Sequence, residues 1–263
     1  MLETVPFPTG TVEVTLDGAG IPSYEIRQGV AWDNIPFTPQ IEELARHTRA
    51  ACFGSLAQRS PVSHRTIGRF LETMPDGEGQ YKVFDINLRQ HFYTQQVVEE
   101  SLRKCNILKI NDEELAVVGG MFGMEGMQPG EQCRTLLDRY GLRIVILTCG
   151  AAGSSVFAPD TRSYIPTPRV EVADTVGAGD SFTASFLAAL LSGLGIGEAH
   201  RLAVGVAARS TAPCPGCRNG LPLGCAMTVP PYDRDDRDAR KGHPAPGRRS
   251  PIRHNCACRP TGN

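Results

Sequence analysis

Asp174 to Phe182 reads DTVGAGDSF, two glycines around an alanine with a carboxylate directly behind them. Small residues at a strand-to-helix junction leave backbone N–H groups accessible, and the positive end of the helix dipole reinforces them. Gly177, Ala178 and Gly179 therefore suit an anion such as a phosphoryl group. Asp180 falls in the first helical turn, where the same dipole keeps it ionised and able to accept a proton. A hydroxyl positioned by Asp180 can attack a phosphorus whose developing charge the amides absorb. The stretch fits neither G-x-x-x-x-G-K-[ST] nor G-x-G-x-x-G, so P-loop and dinucleotide readings fail. The plain alternative is a helix capped by an early Asp, with glycines for close packing.

Three further groups follow apolar, strand-like runs. Asp85, Asn87 and Arg89 come after KVF, Asn111 to Glu114 after ILKI, and Thr148, Gly150 and Gly153 after VIL. Each has a bland reading: a structural ion pair, a helix N-cap with acidic first-turn residues, and a turn between strands. Their shared place at strand ends beside a glycine-rich helix start favours chemistry, because ligands of open α/β sheets bind at the carboxyl ends of strands.

The elements that must hold these groups are legible along the chain. TVEVTLDGAGIPSYEI alternates on both sides of an Asp17-Gly18-Ala19-Gly20 turn, a β-hairpin pattern with one half-exposed face. FTPQIEELARHT opens a helix with Thr38 as N-cap and Pro39 at the first position, and SPVSHRTIGRFLETM repeats the start with Ser60-Pro61. AACFGSL, YKVFDINL, NILKIN and RIVILTCG read as strands, and GSSVFAP and RSYIPTP as short antiparallel ones. TQQVVEESLRKC and EQCRTLLDRYG read as helices, and another follows from Asp112. Ala178 to Leu191 is an apolar helix, and a last one covers Glu198 to about Ala207. Strands alternating with helices imply βαβ units on a largely parallel sheet covered on both faces.

Composition bounds the function class. The 263 residues carry a net charge of −1, so the field of the whole chain names no partner. No apolar run is long enough to span a bilayer and no signal-peptide pattern opens the chain, so a cytoplasmic protein is expected. Cys52, Cys105, Cys133 and Cys149 are expected to be reduced packing residues.

DTVGAGDSFTASFLAALLSG closely resembles the C-terminal signature of the ribokinase-like, or PfkB, carbohydrate kinases. FDINLR, NDEE as N-x-x-E and TCGAAG as T-x-G-x-x-G lie upstream in that family's order, and the hairpin followed by GVAWDNIPFT looks most similar to bacterial fructokinases. The resemblance runs from Pro8 to Ala207. It implies a ribokinase-like mostly parallel sheet with helices on both faces, and a small β lid over about residues 9–32 that closes on sugar and excludes water. The implied reaction is ATP-dependent phosphorylation of a sugar hydroxyl, fructose foremost. A nucleoside kinase of the same fold, and a non-catalytic fragment or pseudokinase that at most binds nucleotide, remain as alternatives.

The resemblance also implies roles. Asp180 would be the catalytic base and Gly177, Ala178 and Gly179 the anion hole. Asn111 and Glu114 would organise Mg²⁺ and phosphate, and Thr148, Gly150 and Gly153 would border the ATP phosphates. Arg89, with Asp85 and Asn87, would lie near the sugar or the transferred phosphate. Asp174, with the backbone around Val176, resembles a K⁺ loop, against the alternative of a simple turn cap. Complete relatives are expected to form homodimers.

Residues 1–207 are thus expected to be a partial kinase domain lacking its first strands, and residues 208–263 a separate tail. From Ala208 to Asn263 the chain is rich in Pro, Arg, Gly and Cys, with ten Lys+Arg against four Asp+Glu. Disorder is the expectation there, and a shifted reading frame in GC-rich DNA would give such a composition. Cys214-x-x-Cys217 with Cys225, His243, His254, Cys256 and Cys258 has one zinc-type spacing but no second knuckle. Arg240, Lys241, Arg248, Arg249 and Arg253 form a basic cluster, but Tyr232 is the tail's one aromatic, so base stacking on nucleic acid is unsupported.

Overall fold

A computed structural model describes residues 5–16, 22–170 and 175–211. The expected turn at Asp17 to Gly20, the expected cation ligand Asp174 and the tail beyond Thr211 lie outside the described residues.

Two sheets form. β1 (Val12–Leu16) and β2 (Pro22–Ile26) pair antiparallel in the register Val12↔Ile26 to Leu16↔Pro22, as the alternating pattern predicts. The main sheet is built from β3 (Ala50–Phe53), β4 (Tyr81–Asp85), β5 (Ile107–Asn111), β6 (Ile144–Thr148), β7 (Ser154–Ala158) and β8 (Thr161–Ile165). Strand order follows chain order, β3 to β6 parallel and β7 and β8 antiparallel. The β4, β5 and β6 runs are apolar almost throughout because both faces of these strands are covered.

One face carries α1 (Pro39–His47), α2 (Pro61–Thr73), α3 (Gln95–Lys104), α4 (Asp112–Met121) and α5 (Pro129–Tyr140). Phe84, Leu108, Val145 and Phe157 of the sheet pack there against Val98, Leu102, Leu115 and Leu136. The other face carries α6 (Ala178–Leu191) and α7 (Ile196–Thr211), with Val83, Ile107, Ile146 and Val156 against Phe182, Phe186 and Ala203. This is the expected α/β architecture.

Local caps explain several boundaries. Thr38 accepts from the Ile41 amide at 3.3 Å with Pro39 at the helix start, and Thr94 accepts from Val97 at 3.2 Å. Ser60 makes no such bond before α2, so its Pro61 alone marks the start. Two boundaries differ from the sequence reading. β3 ends at Phe53 because Leu56–Gln58 winds into a 3₁₀ turn. α7 starts at Ile196 and continues to Thr211, with Ala208 buried and the Ser210 and Thr211 hydroxyls bonded to the Ala207 and Ala208 carbonyls. Among the described residues no helix is long and apolar enough to cross a membrane.

Candidate active site

Register brings the polar strand ends together. Val83 pairs with Cys52 on one side and Ile107 on the other, Asp85 with Lys109, and Asn111 with Thr148. With a side-chain period of two, Cys52, Asp85, Lys109, Asn111 and Thr148 fall on the α6 side of the sheet, together with Val83, Ile107 and Ile146.

The start of α6 stands at these ends. Gly177 precedes the helix at φ 80°, a left-handed conformation that favours glycine, and offers no side-chain cap. The Ala178 amide donates to the Thr175 carbonyl at 3.2 Å and the Ser181 amide to the Gly177 carbonyl at 2.8 Å, so the Gly179 and Asp180 amides are the first-turn donors open to a ligand or to water. Gly179 has ordinary helical φ, and its reason is packing: a Cβ there would meet Lys109 Nζ at 3.1 Å. Asp180 is exposed in the same turn.

Behind this turn lies a buried polar network. Lys109 Nζ donates to both Asp85 oxygens, at 2.9 and 3.0 Å, with the two side chains 12% and 13% exposed. The Thr183 hydroxyl, one turn into α6, lies 2.9 Å from Asp85 Oδ2 and 3.0 Å from the Gly179 carbonyl. Asp85 is thus joined to the base of α6. Lys109 and Thr183 were missed in the sequence; the one available signal was a lysine interrupting the apolar run ILKI.

Cys52 belongs to the same neighbourhood. Contrary to the expected packing role, it is exposed on β3, which has only one neighbour in the described sheet. Desolvation by the surrounding atoms, then the Asp85 charge, pushes its thiol up to about 11; Asp180 adds to the rise and Lys109 opposes it. Cys105 and Cys133 are buried as expected.

Asn111 and Glu114 form a closed cap. Asn111 Oδ1 accepts from the Glu114 amide at 2.8 Å, and Glu114 Oε2 accepts from the Asn111 amide at 3.0 Å. The other Glu114 oxygen accepts from the Leu88 amide at 3.0 Å, so this buried carboxylate also holds the loop leaving β4. In that loop Asn87 takes φ 45°, a conformation asparagine tolerates, and its carbonyl accepts from Ser55. Arg89 is exposed and donates to the Leu88 carbonyl.

Thr148 leads into a 3₁₀ turn at Gly150–Ala152 that joins antiparallel β6 and β7, the turn its bland reading describes. Thr167 Oγ1 donates to the Gly150 carbonyl and Tyr164 to the Ala152 carbonyl. Gly153, at φ 130°, has no room for a side chain: a Cβ would meet the Ile165 carbonyl at 2.6 Å. The turn is thereby held in one shape at the sheet end.

A pocket of about 250 Å³ opens beside the loops after β3 and β4, lined by Trp32, Gly54, Leu56, Ala57 and Asn87. Sugar-sized molecules fit this volume, which is below the ~300 Å³ usual for drug-sized ligands. A larger cavity of about 810 Å³ lies between α5 and β6–β8, near Arg134 and Arg162, and none of the candidate site residues lines it. Among the described residues no cluster of three or more His, Cys, Asp or Glu is arranged to hold a metal ion directly.

Residues 63–223 match the pfkB family carbohydrate kinase profile. A fructokinase of Rhizobium leguminosarum bv. trifolii is 30% identical over 160 residues, 58% of this chain and 46% of that protein. A nucleoside kinase of Methanothermobacter thermautotrophicus is 28% identical over 182 residues, 67% of this chain and 53% of that protein. The crystal structure of an uncharacterized sugar kinase from Pyrococcus horikoshii matches with a TM-score of 0.65 at 26% identity, covering 80% of this chain and 66% of that one. That protein in complex with ATP gives 0.63 at 24% identity, with coverage of 80% and 66%. The chain spans about half the length of the two curated relatives.

Proposed function

We propose, from the premise that this chain belongs to the pfkB carbohydrate kinase family, that it carries the phosphoryl-transfer site of an ATP-dependent kinase for a sugar hydroxyl. The observation that carries the reading is the uncapped start of α6, with Asp180 in its first turn, at the carboxyl ends of β4 and β5. Asp180 accepts the proton of the acceptor hydroxyl as its oxygen bonds to the γ-phosphorus and the bond to the β-phosphate oxygen breaks, releasing ADP. The amides of Gly177 and Gly179, with that of Ala178 once it leaves the Thr175 carbonyl, stabilise the charge gathering on the transferred group. Thr148, Gly150 and Gly153 shape the neighbouring turn for the remaining phosphates.

A Mg²⁺ ion would neutralise phosphate charge. Both Glu114 oxygens and Asn111 Oδ1 already accept backbone amides, so these residues would hold the ion through water. A K⁺ site at Asp174 stays a proposal outside the described residues.

Fructose is the proposed acceptor, on the likeness to the Rhizobium fructokinase, with the small pocket by Trp32 and Asn87 as its site and Arg89, two residues past Asn87, as a further candidate contact. The match to the Methanothermobacter nucleoside kinase covers more of this chain and supports nucleosides as the second class. A coupled ADP-release assay across fructose, ribose and nucleosides tests both. ADP release with fructose above the ATP-only rate supports the first reading; release with nucleosides alone replaces it; release with none overturns kinase activity for this chain.

A further inference from the structure

We infer that Arg59 is a positioning residue that latches the base of the β1–β2 hairpin onto the acceptor pocket through Trp32. The inference rests on the functional reading above for the identity of that pocket.

Arg59 follows the Leu56–Gln58 turn after β3, and Asp33 closes the Ala31–Asp33 turn after the hairpin. Their side chains are 6% and 5% exposed and pair through two bonds, Nε to Oδ1 at 2.8 Å and Nη2 to Oδ2 at 2.9 Å. Nη2 also donates to the carbonyl of Arg27, just past β2. The guanidinium carbon lies 4.1 Å from the Trp32 ring centroid and 4.5 Å from that of Phe92, which follows the β4 loop. One cation thereby joins the hairpin exit, the β3 loop and the β4 loop. Burial pushes the Asp33 carboxyl up, but the Arg59 hydrogen bonds and charge and the Val30 and Gly29 backbone outweigh it and hold it below its usual value.

Trp32 is where the latch meets the pocket. Gly10, just before β1, leaves the indole its space: a Cβ there would sit 2.2 Å from Trp32 Nε1. The Ala31 amide donates to the Pro8 carbonyl at 2.8 Å, so both legs of the hairpin converge on this residue. Trp32 also lines the pocket with Gly54, Leu56, Ala57 and Asn87. A buried ion pair is a poor device for stability alone, and Arg59 Nη1 is buried without a hydrogen-bond partner among the described residues. What the pair secures is geometry, the angle at which the hairpin leaves the domain and the position of one pocket wall.

Trp32 is the single tryptophan of the chain, so its fluorescence reports the latch directly. The experiment compares the parent chain with Arg59→Lys, which keeps the charge but loses the planar fork, and with Asp33→Asn. Arg103→Ala, at an exposed pair with Glu99, is the control. In both latch variants Trp32 should become more open to acrylamide, and hydrogen exchange should quicken in β1 and β2 while β4 to β6 stay unchanged. Fructose titrated against Trp32 emission should bind about tenfold more weakly, the equivalent of ~1.4 kcal/mol, with ATP binding unaltered. Unchanged quenching and exchange in Arg59→Lys, or exchange rising equally across the domain, would overturn the latch. If the parent binds no fructose, the acceptor reading fails, while quenching and exchange still decide whether the latch exists.

Discussion

Two helices begin at neighbouring strand ends of this sheet, and they treat their first turns in opposite ways. α4 closes its own start: Asn111 and Glu114 satisfy each other's amides, and Glu114 reaches out to Leu88. α6 leaves its start open, with a left-handed Gly177 in place of a capping side chain and a carboxylate that is exposed. Both have acidic first turns, so acidity alone does not separate them. What separates them is whether the carboxylate is spent on the backbone. At α4 both oxygens are taken by backbone amides, and at α6 the carboxylate faces solvent.

The sharpest break of that contrast is Asp180→Asn, which keeps the shape and removes the proton acceptor. Turnover in the ADP-release assay should fall by roughly 10²–10⁴-fold, with ATP affinity little altered. Activity within a few-fold of the parent would leave the open carboxylate without a role.

Acid should also divide the two helices. His200 of α7 is fully buried between the Ser154 and Ser163 hydroxyls and packs edge-on against Phe182 of α6. Burial lowers its pKa from 6.5 to about 4. The unfolded chain takes up this proton below pH 6.5 and the folded chain does not until about pH 4. Stability is therefore complete above pH 6.5 and drains as pH falls through that window, by about 3 kcal/mol at its end. Urea unfolding at pH 7 and pH 5 should show the loss, and His200→Gln should flatten it. Hydrogen exchange should rise first in α6 and α7 rather than in α4.

At the closed helix, Glu114→Gln leaves one of the two backbone amides facing an amide nitrogen. A loss of about 2 kcal/mol in unfolding free energy is expected, with a smaller effect on turnover. Lost turnover at unchanged stability would show that its proposed hold on Mg²⁺ through water outweighs its place in the cap.

These differences were only partly open to a reader of the sequence. The apolar runs of β4, β5 and β6, and the ends of α6 at Ala178 and Leu191, follow from periodicity and from glycine placement. The Asn111 cap was equally plain, because its partner Glu114 stands three residues away. Lys109 and Asp85 are 24 residues apart, Thr183 and Asp85 98, and Arg59 and Asp33 26. Those pairings depend on strand register and on where α6 lands, which no local spacing encodes. Gly179 shows the same limit: its type was visible, but its cause is an ammonium on another strand.

The smallest predicted effect tests whether the open start of α6 is held in place by that ammonium network. Thr183→Val keeps the volume and β-branching but removes the hydroxyl shared by Asp85 and Gly179. Asp85 keeps Lys109, so no charge is stranded, and the cost should be near 1 kcal/mol. The loss should be local, as faster exchange of the first-turn amides of α6 and a few-fold weaker ATP binding, while α4 is unchanged. A double-mutant cycle with Asp85→Asn should give a coupling of the same size, since the two residues share one bond. Additive effects would mean that α6 is held by the packing of Phe182 and Phe186 alone, and that its open first turn owes nothing to the charges beneath it.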